Sequence, residues 1–260
     1  MEEKKRQKEL KPIIVMLSYA RSGGTLLNRC MGSIPNTLVL SEINTEAICP
    51  NSCRTIKEQA KKWYNINLKS KTFLANIKEL YKYCNSHNKT LLIRDWTFGS
   101  YVPSQYNNFQ PTKSLATLKI LSKNFPVISF AFVRDPIDVW LSLQDSPRTF
   151  YDKNLEFLHE LSKSLIENKI KIFKYEDFCK EPIKEMKKIC RHTKIKYNKL
   201  FLDYNNFTNV TGDIDLPDAS RGIKQGKITL LPRRKTFKKF SKYINSETKA
   251  KEIKKLLNYN

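Results

Sequence analysis

The sequence predicts an α/β protein of three layers, α/β/α, built on a mainly parallel central sheet. Three observations carry that prediction. Short apolar runs rich in β-branched and aromatic residues alternate with longer stretches of helical periodicity, the pattern of strands buried on both faces by their connecting helices. The first apolar run passes directly into a glycine-containing turn and then a helix. No repeat or low-complexity linker divides the 260 residues, a length that suits one large core.

The elements follow in chain order. Residues 1–11 are highly charged and are expected to be disordered, leaving 12–260 as a single domain. Strands are expected at 12–18, 37–41, 90–94, 127–133 and 170–174, each a short apolar run. Helices are expected at 24–33, 54–64, 71–87, 113–124, 137–145, 152–168 and 181–193. Residues 205–235 carry Gly212, Pro217, Gly222, Gly226 and Pro232 and read as an ordered or ligand-closing loop before a terminal helix at 246–257. In open parallel sheets ligands sit at the carboxyl ends of the strands, where Ser18, Arg94 and Arg134 fall.

Two segments carry chemistry. Ser18-Tyr19-Ala20-Arg21-Ser22-Gly23-Gly24-Thr25 stands between the first strand and a helix that starts at Gly24, which makes the fold of the P-loop type. In such a unit the loop N–H groups and the helix N-terminus point at one spot and favour an anion there. A loop serving nucleotide triphosphates needs Lys just before its last Ser/Thr. Here that position is Gly24, and the one basic side chain in the loop is Arg21, so the loop suits a different phosphate or sulfate arrangement from ATP hydrolysis. The second segment is the strand 127–133 followed by Arg134-Asp135-Pro136. Asp135 and Pro136 are cap and first-turn residues for the helix that carries Ser142. Arg134 and Ser142 can converge on one anion; the alternative is an Arg134-Asp135 surface pair.

On these residues the chain resembles the PAPS-dependent sulfotransferases, whose loop carries [Lys/Arg]-Ser-Gly-[Gly/Thr]-Thr and whose 3'-phosphate site pairs an Arg with a Ser eight residues later. The resemblance implies 3'-phosphoadenosine 5'-phosphosulfate (PAPS) as cosubstrate, 3'-phosphoadenosine 5'-phosphate (PAP) as product, and no metal. It implies that Arg21, Ser22, Gly23, Gly24, Thr25 and Leu26 bind the phosphosulfate and that Arg134 and Ser142 bind the 3'-phosphate. Lys174-Tyr175-Glu176-Asp177-Phe178 is similar to a Tyr-Glu-Asp-Leu segment of the superfamily, whose role there is mostly structural. Ser220-Arg221-Gly222 resembles the C-terminal Arg-Gly loop that closes over the 3'-phosphate, which makes Arg221 and Gly222 further ligands. The stricter Arg-Lys-Gly-x-x-Gly form is not met, because Gly226 falls four after Gly222 and no Lys separates Arg221 from Gly222.

The same resemblance frames the base. The small-molecule branch uses His, whereas tyrosylprotein and several carbohydrate branches use Glu; none of His87, His159 and His192 follows a predicted strand suitably. Glu42, after the strand at 37–41, resembles the Glu base of the tyrosylprotein branch, with Glu46 as the fallback. Arg94 takes the place of that branch's strand-end Lys, which stabilises charge on the bridging oxygen; the other reading is a salt bridge to Asp95 or Glu42. Catalytic residues are therefore expected to be Glu42, Arg21 and Arg94. Trp96, Phe98, Tyr101, Tyr106 and Phe109 can stack on a sugar or aryl ring or simply pack the core. The acceptor expected is a hydroxyl on a carbohydrate, a lipid-linked sugar or a small metabolite, in that order.

Composition bounds the alternatives. There are 48 Lys plus Arg against 25 Asp plus Glu, a formal charge of +23, which points to an anionic partner or simply to a Lys- and Asn-rich composition. Residues 233–255 alone hold ten basic and two acidic residues, an anion-binding face or a solvated amphipathic helix. Six irregularly spaced cysteines and no Cys-x-x-Cys pair indicate neither a zinc site nor a disulfide framework. No apolar run approaches the roughly 18–20 residues that span a bilayer, so a reduced, cytoplasmic setting is the expectation. Two other classes stand beside sulfuryl transfer. A P-loop kinase or NTPase needs the missing Lys and an acidic strand end for Mg²⁺, and a non-catalytic nucleic-acid binder rests on charge alone.

Overall fold

A computed structural model describes residues 10–46, 55–103, 110–144, 153–211, 226–233 and 248–259. Five strands, β1 (Ile13–Leu17), β2 (Thr37–Ile43), β3 (Thr90–Asp95), β4 (Val127–Val133) and β5 (Lys171–Lys174), form one sheet in the order β2-β3-β1-β4-β5. Every pairing is parallel. The expected strands and the observed ones agree to within two residues at each end.

The helices are α1 (Gly24–Gly32), α2 (Ile56–Tyr64), α3 (Phe73–Ser86), α4 (Ala116–Asn124), α5 (Pro136–Gln144), α6 (Asn154–Glu167), α7 (Tyr175–Lys180), α8 (Pro182–Thr193) and α9 (Thr248–Leu256). Local chemistry sets their ends. Thr55 and Glu58 form a reciprocal capping box on α2, and Asn65, in the left-handed region, closes that helix. Thr72 accepts from the Ala75 N–H to start α3. The helix expected from 113 begins instead at Ala116, because Lys113 takes a left-handed φ of 53°. Two 3₁₀ segments, Thr97–Ser100 and Lys199–Asn206, and the short α7 were not anticipated as elements.

Strand alternation divides the core into two layers. Ile13, Val15, Leu17, Leu38, Leu40, Leu91 and Ile93 face a cluster shared with α2 to α6 and α9. Ile14, Met16, Val39, Leu92, Phe130 and Phe132 face α1, α7, α8 and the 3₁₀ segment at 199–206. Both faces of β1 are therefore buried, which is why its sequence is apolar without alternation. Each such side chain contributes about 1.5–3 kcal/mol by leaving water.

β2 is an outer strand, and side chains from α2 take the place of a further strand beside it. Tyr64 Oη accepts from the Val39 N–H (3.0 Å) and donates to the Val39 carbonyl (2.8 Å). Gln59 does the same for Ser41, accepting from its N–H at 2.8 Å and donating to its carbonyl at 2.6 Å. Burial pushes the Tyr64 phenol up to about 12, so it stays a donor at all ordinary pH. Gln59→Ala leaves two buried backbone groups unpaired, each worth about 1–3 kcal/mol. We expect a lower urea midpoint with an unchanged m-value, and an unchanged midpoint would show that these bonds are replaced by water.

Candidate active site

The loop after β1 is shaped by two left-handed residues, Arg21 (φ 66°) and Gly23 (φ 85°), with the Ser22 N–H returned to the Tyr19 carbonyl. The turn ends on Gly23, which starts α1 with no side-chain cap and no acidic residue in the first turn, so the helix dipole faces the loop mouth uncompensated. Gly23 is required twice over. Its φ excludes ordinary side chains, and a Cβ there would stand 2.4 Å from the Tyr175 ring. Gly24 admits a different neighbour: a Cβ would meet Ser18 Oγ at 2.6 Å and Arg94 Nε at 3.0 Å. The space a loop side chain would fill at position 24 is thus occupied by the Ser18 hydroxyl and by a guanidinium delivered from β3.

Two groups of candidate residues flank this loop. On the β4 side, Arg21 Nε donates to Ser142 Oγ at 3.0 Å, and Arg134 Nη1 approaches the Arg21 carbonyl at 3.4 Å. The Arg134 guanidinium lies 4.8 Å over the Tyr175 ring, and its Nε is buried without a hydrogen-bond partner among the described residues. Asp135 does not pair with Arg134. It caps α5 through the Ile137 N–H (2.8 Å) and forms ion pairs with Arg233 and Lys254. Glu176 accepts from the Asp135 N–H (3.0 Å) and from Tyr259 (2.8 Å), which fixes the strand end that carries Arg134. The Tyr175-Glu176 pair therefore bears directly on Arg134, a consequence that a purely structural reading of the segment leaves out.

On the β3 side stand Arg94 and Glu42, only 7% and 9% exposed. Arg94 Nη2 is 3.0 Å from Glu42 Oε1, and its Nη1 donates to Thr25 Oγ1 of the loop at 3.2 Å. The salt bridge to Glu42 is formed, and the same guanidinium also touches the loop through Thr25. Glu42 reaches this position through a bulge. Three steps of β2 from Leu40 to Ile43 oppose two of β3 from Ile93 to Asp95, and Glu42 takes a φ of 53°. A bulge of this kind re-aims a side chain at the end of a strand.

Next to Arg94 at the end of β3 lies a carboxylate that the sequence offers only as a salt-bridge partner. Asp95 is buried and accepts from Asn44 Nδ2 (3.1 Å), Thr117 Oγ1 (3.1 Å) and Thr97 Oγ1 (3.3 Å). Burial pushes its pKa up to about 7 despite those donors. Thr97 in turn accepts from the Ser18 N–H at 3.3 Å, and Asn44 Oδ1 accepts from the Glu46 N–H at 2.8 Å. One buried network thereby fixes both the start of the loop and the segment after Glu42. The only local sign of it was the Arg94-Asp95 dipeptide at a strand end.

Of the other expected residues, Ser22 is buried within the loop, and the Leu26 side chain packs on the second core layer, leaving its backbone to face the loop. Phe98 and Tyr101 are buried with the core, which favours packing over stacking for these two. Arg221, Gly222, Tyr106 and Phe109 lie outside the described residues. Among the described residues there is no cluster of His, Cys, Asp or Glu able to hold a metal and no helix long and apolar enough to cross a membrane.

No family model matches the sequence, and no curated protein matches it. Solved structures do match the fold. The sulfotransferase domain from the curacin biosynthetic pathway superposes with a TM-score of 0.61 at 14% identity, over 97% of this chain and 99% of that one. The sulfotransferase domain of the Synechococcus PCC 7002 olefin synthase gives 0.60 at 15% identity, over 100% and 99%. The mouse sulfotransferase SULT7A1 complexed with PAP gives 0.51 at 15% identity, over 97% and 90%. The parallel five-stranded sheet, its connecting helices and the loop after β1 therefore make up the sulfotransferase fold.

Proposed function

We propose that the chain, as one catalytic unit over 12–260, transfers the sulfuryl group of PAPS to an acceptor hydroxyl. The observation that carries this is the placing of two cationic groups on either side of one glycine loop, Arg21 and Arg134 with Ser142 on one side and Arg94 with Glu42 on the other. A cosubstrate with two separated phosphate groups fits the loop and the Arg134 side together, which leaves the Arg94-Glu42 pair for the chemistry. The donor set is cationic and hydroxylic, and Gly24 keeps the loop open to Arg94.

In this reading Arg134 and Ser142 hold the 3'-phosphate, and the α1 N-terminus with Arg21, Ser22, Gly23, Gly24, Thr25 and Leu26 holds the 5'-phosphosulfate. Glu42 takes the proton of the acceptor hydroxyl as its oxygen bonds to sulfur. The bond from sulfur to the bridging oxygen breaks, its electron pair leaves on the 5'-phosphate of PAP, and Arg94 and Arg21 stabilise the charge that develops there. Positioning and electrostatics carry most of the rate, as in phosphoryl transfer. No step requires a metal. The acceptor is a hydroxyl of a carbohydrate, a lipid-linked sugar or a small metabolite.

A P-loop kinase is the second reading, because Asp95 supplies an acidic strand end next to β1. Both of its oxygens are already engaged by Asn44, Thr97 and Thr117, and Gly24 stands where the kinase loop needs Lys. Calorimetric titration with PAP, and with ATP and ADP with and without Mg²⁺, separates the two. We expect metal-independent PAP binding that Arg134→Ala weakens about 10- to 100-fold, the worth of one charge-assisted contact. Preference for ATP with Mg²⁺ would move the case to a kinase.

A further inference from the structure

Beside the phosphate loop, two hydroxyls and two charged groups close a ring of hydrogen bonds. Arg94 Nη2 donates to Glu42 Oε1 (3.0 Å), and Thr211 Oγ1 donates to Glu42 Oε2 (2.9 Å). Thr211 Oγ1 is also 3.0 Å from Ser41 Oγ, and Arg94 Nη1 is 3.5 Å from that same Ser41 oxygen, a weak contact. The donors assign each hydroxyl proton. Ser41 Oγ accepts from the Thr211 N–H at 3.1 Å and faces Arg94, so its own proton points to Thr211 Oγ1. The Thr211 proton is then committed to the carboxylate. All four groups are buried, and Thr211 comes from a segment 169 residues beyond Glu42.

We infer that Thr211 is a positioning residue for the candidate base. A glutamate carboxylate turns easily about its last torsion, whose wells are broad and two-fold. Arg94 holds one oxygen and Thr211 the other, and contacts on both oxygens oppose rotation of the carboxylate plane. The segment leading to Thr211 packs on α1. Phe207, four residues earlier, packs flush on α1, so that a Cβ at Gly32 would meet its ring at 2.3 Å.

The inference rests on Glu42 acting as the base, and the test separates the two. Sulfate release from PAPS to water, with phenol as a simple hydroxyl probe, reads the base without a known acceptor. Thr211→Val keeps the shape and removes the hydroxyl, and Thr211→Ser keeps the hydroxyl. We expect Thr211→Val to lower kcat by at least about tenfold, the scale of a small misplacement of a reacting group, with KM for PAPS and Kd for PAP within about threefold. Thr211→Ser restores most of the loss. Circular dichroism and thermal melts confirm that each variant is folded. Wild-type turnover in Thr211→Val beside an impaired Glu42→Gln overturns the inference and leaves the base reading standing. Equal losses in the Val and Ser variants, with PAP binding lost too, mark a purely structural role and also overturn it. Wild-type turnover in Glu42→Gln, or no sulfate release from a wild-type chain that binds PAP, overturns both.

Discussion

An Arg94→Ala chain is expected to turn over about 10²–10³ times more slowly than wild type, the usual cost of removing one preorganised donor from a developing charge. It is also expected to lose about 3–5 kcal/mol of stability, because the buried ion pair of Arg94 with Glu42 is broken on one side. The two effects have different causes and separate experimentally. Arg94→Lys keeps a positive charge near Glu42 and regains stability, but a single ammonium cannot reach Glu42 and Thr25 together as the guanidinium does. Its rate should stay well below wild type. Single-turnover release of PAP from PAPS, read beside urea unfolding, checks both halves. Wild-type turnover in a folded Arg94→Ala chain would reduce Arg94 to a structural partner of Glu42.

Glu42→Gln is the second large effect. The amide keeps the size of the carboxylate and can still accept from Arg94 or Thr211 through its oxygen, but it cannot take a proton from an acceptor. Turnover is expected to fall about 10²–10⁴-fold, the range of general-base contributions. PAP affinity should change little, since the nucleotide contacts assigned to Arg134 and Ser142 lie on the other side of the loop. A loss of PAP binding equal to the loss of turnover would place Glu42 among the binding groups. Glu46 is the contrasting control. Its N–H is tied to Asn44, it has no bond to Arg94, and Glu46→Gln should retain most activity.

Much of this site was legible in the chain because its parts are local. The glycine loop after β1, the cap at Asp135 and the Arg134 to Ser142 spacing each lie within one strand, turn, helix unit, and the structure places them at one end of the sheet. Arg94 and Glu42 were readable as strand ends, and their pairing as one of two alternatives. What escaped is long-range or depends on irregular backbone. The β2 bulge that turns Glu42 inward leaves no mark in the apolar pattern of 37–43. Thr211 sits in a segment with no periodicity at all. Asp95 reads only as one of two alternative salt-bridge partners of Arg94, and the tertiary fold shows it facing Asn44, Thr97 and Thr117 instead. The 3₁₀ segment at 199–206 packs through Phe201 and Tyr204, two aromatics too few to show a helical stripe.

The pairing of Tyr64 and Gln59 with the outer face of β2 has a consequence for how molecules of this protein meet one another. An open strand edge is a template on which a second chain can add its own strand, the first step toward aggregation. Here the outward groups of Val39 and Ser41 are already taken by side chains of the same molecule, and the opposite margin, β5, is four residues long with a lysine at each end. Neither margin invites a neighbour. For a chain whose site depends on the exact course of Ser41 and Glu42, that protection also keeps another molecule from drawing the candidate base out of line.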